Sequence, residues 1–148
     1  MKWLVDTNVI SETARNSPNR TVMRVLSDFG RHDSGLSAVT LAELRVGIRT
    51  MPISSRRDRL EIWVSQEIER TFAGRVLPVT LDILVEWVAL TRRLKAKGRS
   101  QYAADLLIAA TARVHHLTLV TRNTRDFAST GVTVYNPWTD ETPTMEAP

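Results

Sequence analysis

Three carboxylates in this chain stand where a carboxylate is awkward unless something uses it. Asp6 ends the apolar run Trp3-Leu4-Val5 in the opening KWLVDTNVI. Glu43, on a helix turning about 100° per residue, falls within roughly 40° of Val39 and Gly47 and about 60° of Val46, a small apolar face from which Arg45 and Arg49 point away. Asp105 is the one acid in YAADLLIAATARVHHL, and Ala109 and Ala112 leave room beside it. A fourth group, Thr121, Asn123 and Asp126, follows the apolar Leu117 to Val120. Each has a plain alternative. Glu43 at the rim of its stripe can pair with an arginine, Asp105 can complement a positive helix end, Asn123 can close a turn, and Asp126 can cap a helix starting at Phe127. Together, Asp6, Glu43, Asp105 and either Asn123 or Asp126 gather oxygen ligands from distant parts of the chain. Like charges so close repel unless neutralised, and carboxylate and amide oxygens suit Mg²⁺ or Mn²⁺.

For these groups to meet, the chain must bring strand ends together. An unbroken apolar run such as Trp3 to Val5 suits a strand covered on both faces, with a helix starting beside Asn8. Val22, Val25, Leu26 and Phe29 trace a helix, Gly35 to Ala38 a short strand, and Thr40 to about Met51 a helix stopped by Pro52. Ser54 and Ser55 cap a long amphipathic helix to Phe72, with Leu60, Trp63, Val64, Ile68 and Phe72 on its apolar side. Trp63, like Trp87, belongs to the core by this spacing, with an apolar groove for a partner's helix as the other reading. Val76 to Val79, Leu117 to Val120 and Val132 to Tyr135 read as strands, and Thr80 to Lys97 and Gln101 to His116 as helices. Strands alternating with helices of ten residues or more predict an α/β fold with a mainly parallel sheet. In such sheets ligands bind at the carboxyl edge, where Asp6 and Thr121 emerge.

The 148 residues suffice for one domain, with a tail after Trp138 expected to be disordered over 139–148. Zero cysteines exclude disulfides and thiolate metal sites, and no segment approaches the roughly 18 apolar residues of a membrane span. A cytoplasmic protein is the expectation. Of 20 basic residues three are lysine and the rest arginine, the type whose planar fork pairs phosphate in two places. The tail from Asn136 holds Asp140, Glu141 and Glu146 and no base, so residues 1 to 135 set 20 bases against 13 acids, a net +7 suited to a polyanion. His32, His115 and His116 are read as structural or surface residues.

The stretches LVDTNVISE, LSAVTLAELRVGI around Glu43, ADLLIAATA around Asp105, VTRNTRDF and the closing NPW, in that order over residues 2 to 138, resemble the PIN-domain ribonucleases, above all the VapC and FitB-like toxins of type II toxin–antitoxin pairs. The resemblance implies a three-layer α/β/α fold over 1–138, a homodimer, and Mg²⁺- or Mn²⁺-dependent endoribonuclease activity. It also implies a small VapB- or FitA-like antitoxin that covers the active site and carries the pair to its promoter DNA. By motif, Asp6, Glu43 and Asp105 match the three family acids, Thr121 the small hydroxyl residue, and Asn123, with Asp126, the fourth position. Arg15, Arg49 and Arg122 are candidates for holding the RNA backbone. Two other readings compete: a PIN-like RNA-binding module without activity, and phosphotransfer on Asp6, which Asn8 in place of a second acid disfavours.

Overall fold

The computed structural model describes residues 1–30, 32–141 and the backbone of 144–145. Five strands lie parallel: β1 (Trp3–Val5), β2 (Ser34–Ser37), β3 (Val76–Leu77), β4 (Thr118–Val120) and β5 (Thr133–Tyr135). A sixth, β6 (Thr144–Met145), pairs antiparallel with β5, giving the order β3-β2-β1-β4-β5-β6. The chain winds outward from β1 to β3, then returns to add β4 on the other side of β1. The boundary between β1 and β4 is therefore where strand order reverses, the position at which open α/β sheets form a crevice beyond their carboxyl ends.

Alternation along each strand makes the three layers. Val5, Leu36, Val120 and Tyr135 face a core closed by α1 (Thr7–Thr13), α2 (Arg20–Asp28), α3 (Ala38–Arg49) and α4 (Ser55–Ile62). Leu4, Leu119 and Val134 face the opposite core, under α6 (Leu81–Ala96) and α7 (Ala103–Val114). Burial on both faces is what the unbroken apolar runs predict, and the α/β/α sandwich with a mainly parallel sheet is borne out. Trp63 and Trp87, both partly buried, pack against the first and second cores respectively.

The element ends refine the sequence reading. Asp6 itself caps α1, accepting from Thr7 N–H, so the helix starts at Thr7. Ser37 caps α3 in the same way, two residues ahead of the expected start, and leaves the buried Thr40 hydroxyl without a partner among the described residues. The expected long helix to Phe72 is not uniform. After α4 it widens into a π-helical stretch, Trp63–Ile68, and ends in the single turn α5 (Glu69–Thr71), a register change that sets Val64, Ile68 and Phe72 inward. At Gly35, a β-carbon would come within 2.7 Å of the Arg75 carbonyl oxygen, so the approach of β2 to β3 excludes any side chain there.

Within 139–148, the described residues meet the body of the fold at two places. Asp140 accepts from Arg24 at 2.5 Å and from the Tyr135 hydroxyl, and Thr144–Met145 takes the edge that β5 leaves free. Residues 142–143 and 146–148 lie outside the described residues. No described helix is long and apolar enough to cross a membrane.

Candidate active site

Asp6 leaves β1 beside β4, its N–H bonded to the Val120 carbonyl at 3.0 Å. Its carboxylate is nearly buried, 6% exposed, and fully engaged. One oxygen accepts from Thr7 N–H at 2.7 Å; the other accepts from the Thr121 hydroxyl and the Asn8 amide, each at 2.7 Å. Asn8 bridges further: its amide also reaches the Thr121 hydroxyl at 3.1 Å, and its oxygen accepts from Arg122 N–H at 3.0 Å. Thr121, fully buried, is held by its N–H to the Tyr135 carbonyl at 2.9 Å. The carboxyl ends of β1 and β4 are thus stitched through one carboxylate, at the reversal of strand order.

Glu43 joins from α3. The Thr7 hydroxyl donates to its Oε2 at 2.5 Å, so Thr7 touches Asp6 with its backbone and Glu43 with its side chain. The alternative of a surface Glu43 paired with arginine does not hold: Glu43 is half-buried, and Arg45 bonds Glu69 at 2.6 Å instead.

Asp105 stands in the first turn of α7, half-buried, with no hydrogen bond or ion pair to its carboxylate among the described residues. Burial pushes its pKa up to about 6, and the charges of Asp126, Asp6 and Glu43 push the same way. Asp6 is raised too, first by burial and then by Glu43, against the pull of its bonds from Thr121, Thr7 and Asn8. The four acids therefore feel one another across the mouth of the β1–β4 crevice. As they stand, no three acids or histidines among the described residues close into a ligand cage.

The fourth position resolves unevenly. Asn123 is exposed, and what ties it to the site is its N–H, donated to the Thr121 hydroxyl at 3.1 Å; its side chain makes no described bond to the acids. Asp126 lies on a 3₁₀ turn, Thr124–Phe127, so it does not cap a helix at Phe127, and its charge acts on Asp105. His32, His115 and His116 are exposed and away from these bonds.

Thr7 and Asn8 are the residues that motif-by-motif reading undervalued. Both follow Asp6 directly, and a Thr-Asn pair at a helix start is a signal for side-chain hydrogen bonding to the preceding turn. Glu12 was missed altogether. It is buried, accepts Asn19 N–H at 2.8 Å and Arg15 at 3.1 Å, and its pKa is lowered despite burial by those two bonds and the Arg15 and Arg122 charges. Its position on the helical face of Val9 was the available sign. Arg15 is thereby committed to Glu12, while Arg122 lies over the Trp138 ring at 5.2 Å.

Comparison with known proteins places the geometry in context. The PIN domain family profile matches residues 3–132. Toxin FitB of Neisseria gonorrhoeae is 40% identical over 137 residues, covering 93% of this chain and 99% of the relative. VapC ribonuclease Y4jK of Sinorhizobium fredii is 38% identical over 135 residues, 91% of this chain and 96% of its own length. Among solved structures, FitAB bound to an IR36 DNA fragment superposes with a TM-score of 0.88 at 38% identity, covering 95% of this chain and 98% of the matched one.

Proposed function

This chain belongs to the PIN-domain family, and from that premise we propose that it is the toxin of a type II toxin–antitoxin pair, an endoribonuclease dependent on Mg²⁺ or Mn²⁺. The observation that carries the reading is the asymmetry of the acids. Asp6 accepts three hydrogen bonds, a single one on its Oδ1, which leaves room for an ion, while Asp105 accepts none among the described residues and is held near pKa 6 by burial and the surrounding negative charge. A carboxylate so placed without a cation is costly, and the donor set is all oxygen, the chemistry a hard divalent ion takes.

Asp6, Glu43 and Asp105 would hold the ion, with Asn123 or Asp126 completing the set. When bound, such an ion makes an attacking water more acidic and neutralises charge developing on phosphate oxygens. The chain's own part is position. Thr121 and Asn8 fix the direction of the Asp6 carboxylate, and Thr7 holds Glu43 beside it. Asp6 and Thr121 leave buried strands and Glu43 sits on α3, so each is placed from a rigid element, as a small catalytic tolerance requires. No histidine is needed to move a proton.

The partner is inferred from similar solved structures, among them FitAB bound to a DNA fragment and VapBC-5 of Mycobacterium tuberculosis, a member of a family of toxin–antitoxin systems. For this chain the reading is a small antitoxin of the VapB or FitA kind, promoter contact through that antitoxin only, and a homodimer, for which the exposed Leu81, Val85 and Val88 of α6 offer an apolar face.

The test uses the purified chain freed of any partner, incubated with structured RNAs. Cleavage in Mg²⁺ or Mn²⁺ that stops on chelation and is lost in Asp105→Asn is expected. Tight RNA binding without cleavage would replace this reading with the binding module, and a covalent phosphate on Asp6 would revive phosphotransfer.

A further inference from the structure

A cleft of about 580 Å³ opens beside the acids, lined among others by Arg99, Gln101, Tyr102, Asp105, Arg125 and Asp126. Its outer wall is the connection between α6 and α7. Gly98 takes a left-handed turn, φ +69°, that ends α6, and Arg99 N–H returns to the Leu94 carbonyl at 2.9 Å. Two bonds then cross to the opposite loop: the Arg99 guanidinium to the Ser129 hydroxyl, and the Gln101 amide to the Ala128 carbonyl at 3.1 Å. The walls are therefore tied to each other.

The contents of this cleft are unlike those of an ordinary surface groove. Tyr102 is 77% exposed and makes no bond to cap α7, so a large aromatic ring stands uncovered at the rim. Arg99 and Arg125 are exposed, and among the described residues neither pairs with a carboxylate. Asp105 and Asp126 form the inner end. A flat aromatic face and two guanidinium groups that no described carboxylate neutralises, that of Arg99 tied to Ser129, stand beside a cluster of acids and match, in order, a base, its phosphates and the bond to be cut.

We propose that this cleft is the subsite for an unpaired nucleotide flanking the scissile phosphate, with its base on Tyr102 and its phosphates held by Arg99 and Arg125. The proposal rests on the nuclease reading and adds the side chains that seat the flanking nucleotide, whose base must leave its helix to lie on Tyr102. It also moves phosphate holding from Arg15, which serves Glu12, to the arginines around α7.

Steady-state cleavage of a short single-stranded RNA in Mn²⁺ tests it. Tyr102→Ala should raise KM about tenfold with kcat within about twofold, and Tyr102→Phe should restore KM, since stacking does not need the hydroxyl. Arg99→Gln and Arg125→Gln should each raise KM and flatten its log–log salt dependence by about 0.7. An active wild type whose KM is unmoved by all three substitutions would overturn the subsite and leave the nuclease standing. A fall in kcat alone would assign Tyr102 to packing beside Asp105 and overturn it too, as would weakened binding of a peptide antitoxin with RNA KM unchanged. A wild type that neither cuts nor binds RNA would remove the underlying reading and the subsite with it.

Discussion

The two walls of the candidate site are built on opposite principles. On the β1–β4 wall every polar group is answered: Asp6 accepts three hydrogen bonds, and Thr121 and Asn8 each serve more than one partner. On the α7 wall, Asp105 has no such partner among the described residues and sits among like charges. Burial raises the pKa of both acids, yet only at Asp6 do hydrogen bonds from the protein offset part of it. A fully satisfied carboxylate is a fixed reference point; an unsatisfied one is a demand that the fold leaves for something else to meet. The difference separates what folding itself fixes from what a bound cation would fix.

The sharpest way to break the contrast is to neutralise each wall in turn. Asp6→Asn and Asp105→Asn should each lower RNA cleavage by more than the roughly 10–100-fold that loss of an outer-shell partner costs, measured as kcat/KM at saturating Mn²⁺. Thr121→Val takes a donor from Asp6 without changing charge, and should fall inside that range of about 10–100-fold. Stability should then move oppositely on the two walls. In chelator at pH 7.5, Asp105→Asn should stabilise the chain by about 1 kcal/mol, discounted because the group is only half-buried, whereas Thr121→Val should destabilise it by about 1–2 kcal/mol by stranding the bonds it served, both by denaturant melts.

The smallest effect is in pH. The folded Asp105 pKa, about 6, lies above the ordinary 3.8, so the folded state holds its proton longer than the unfolded chain. That contribution to stability is complete below about pH 3.8 and disappears as pH rises through 6. The metal-free wild type should therefore lose stability across this interval relative to Asp105→Asn, and saturating Mn²⁺ should shrink the gap. Equal slopes for the two proteins in chelator would count against the strain assigned to the α7 wall.

How much of this was legible in the sequence also divides along the two walls. Asp6 was readable because an acid closing a short apolar run has few places to go in a parallel sheet, and Asp105 because one acid in an apolar helix beside alanines is conspicuous. The strand alternation that separates Leu4 from Val5 follows from the same runs. What stayed hidden depended on contacts distant in sequence. The Thr7 to Glu43 bond spans 36 residues and the Thr121 to Asp6 bond 115, and no local pattern encodes either. Buried Glu12 drew no reading because its partners, Asn19 N–H and Arg15, lie in and around the following loop. The bond of Asp140 with Arg24, 116 residues earlier, was hidden for the same reason.

Crystals soaked in Mn²⁺ and measured at a wavelength where manganese scatters anomalously test the central claim most directly. A peak within coordinating distance of both Asp6 and Asp105, absent from Asp105→Asn crystals soaked alike, is the expected result. A map with no peak between these walls, or one contacting neither carboxylate, would contradict the claim that they were left apart to share an ion.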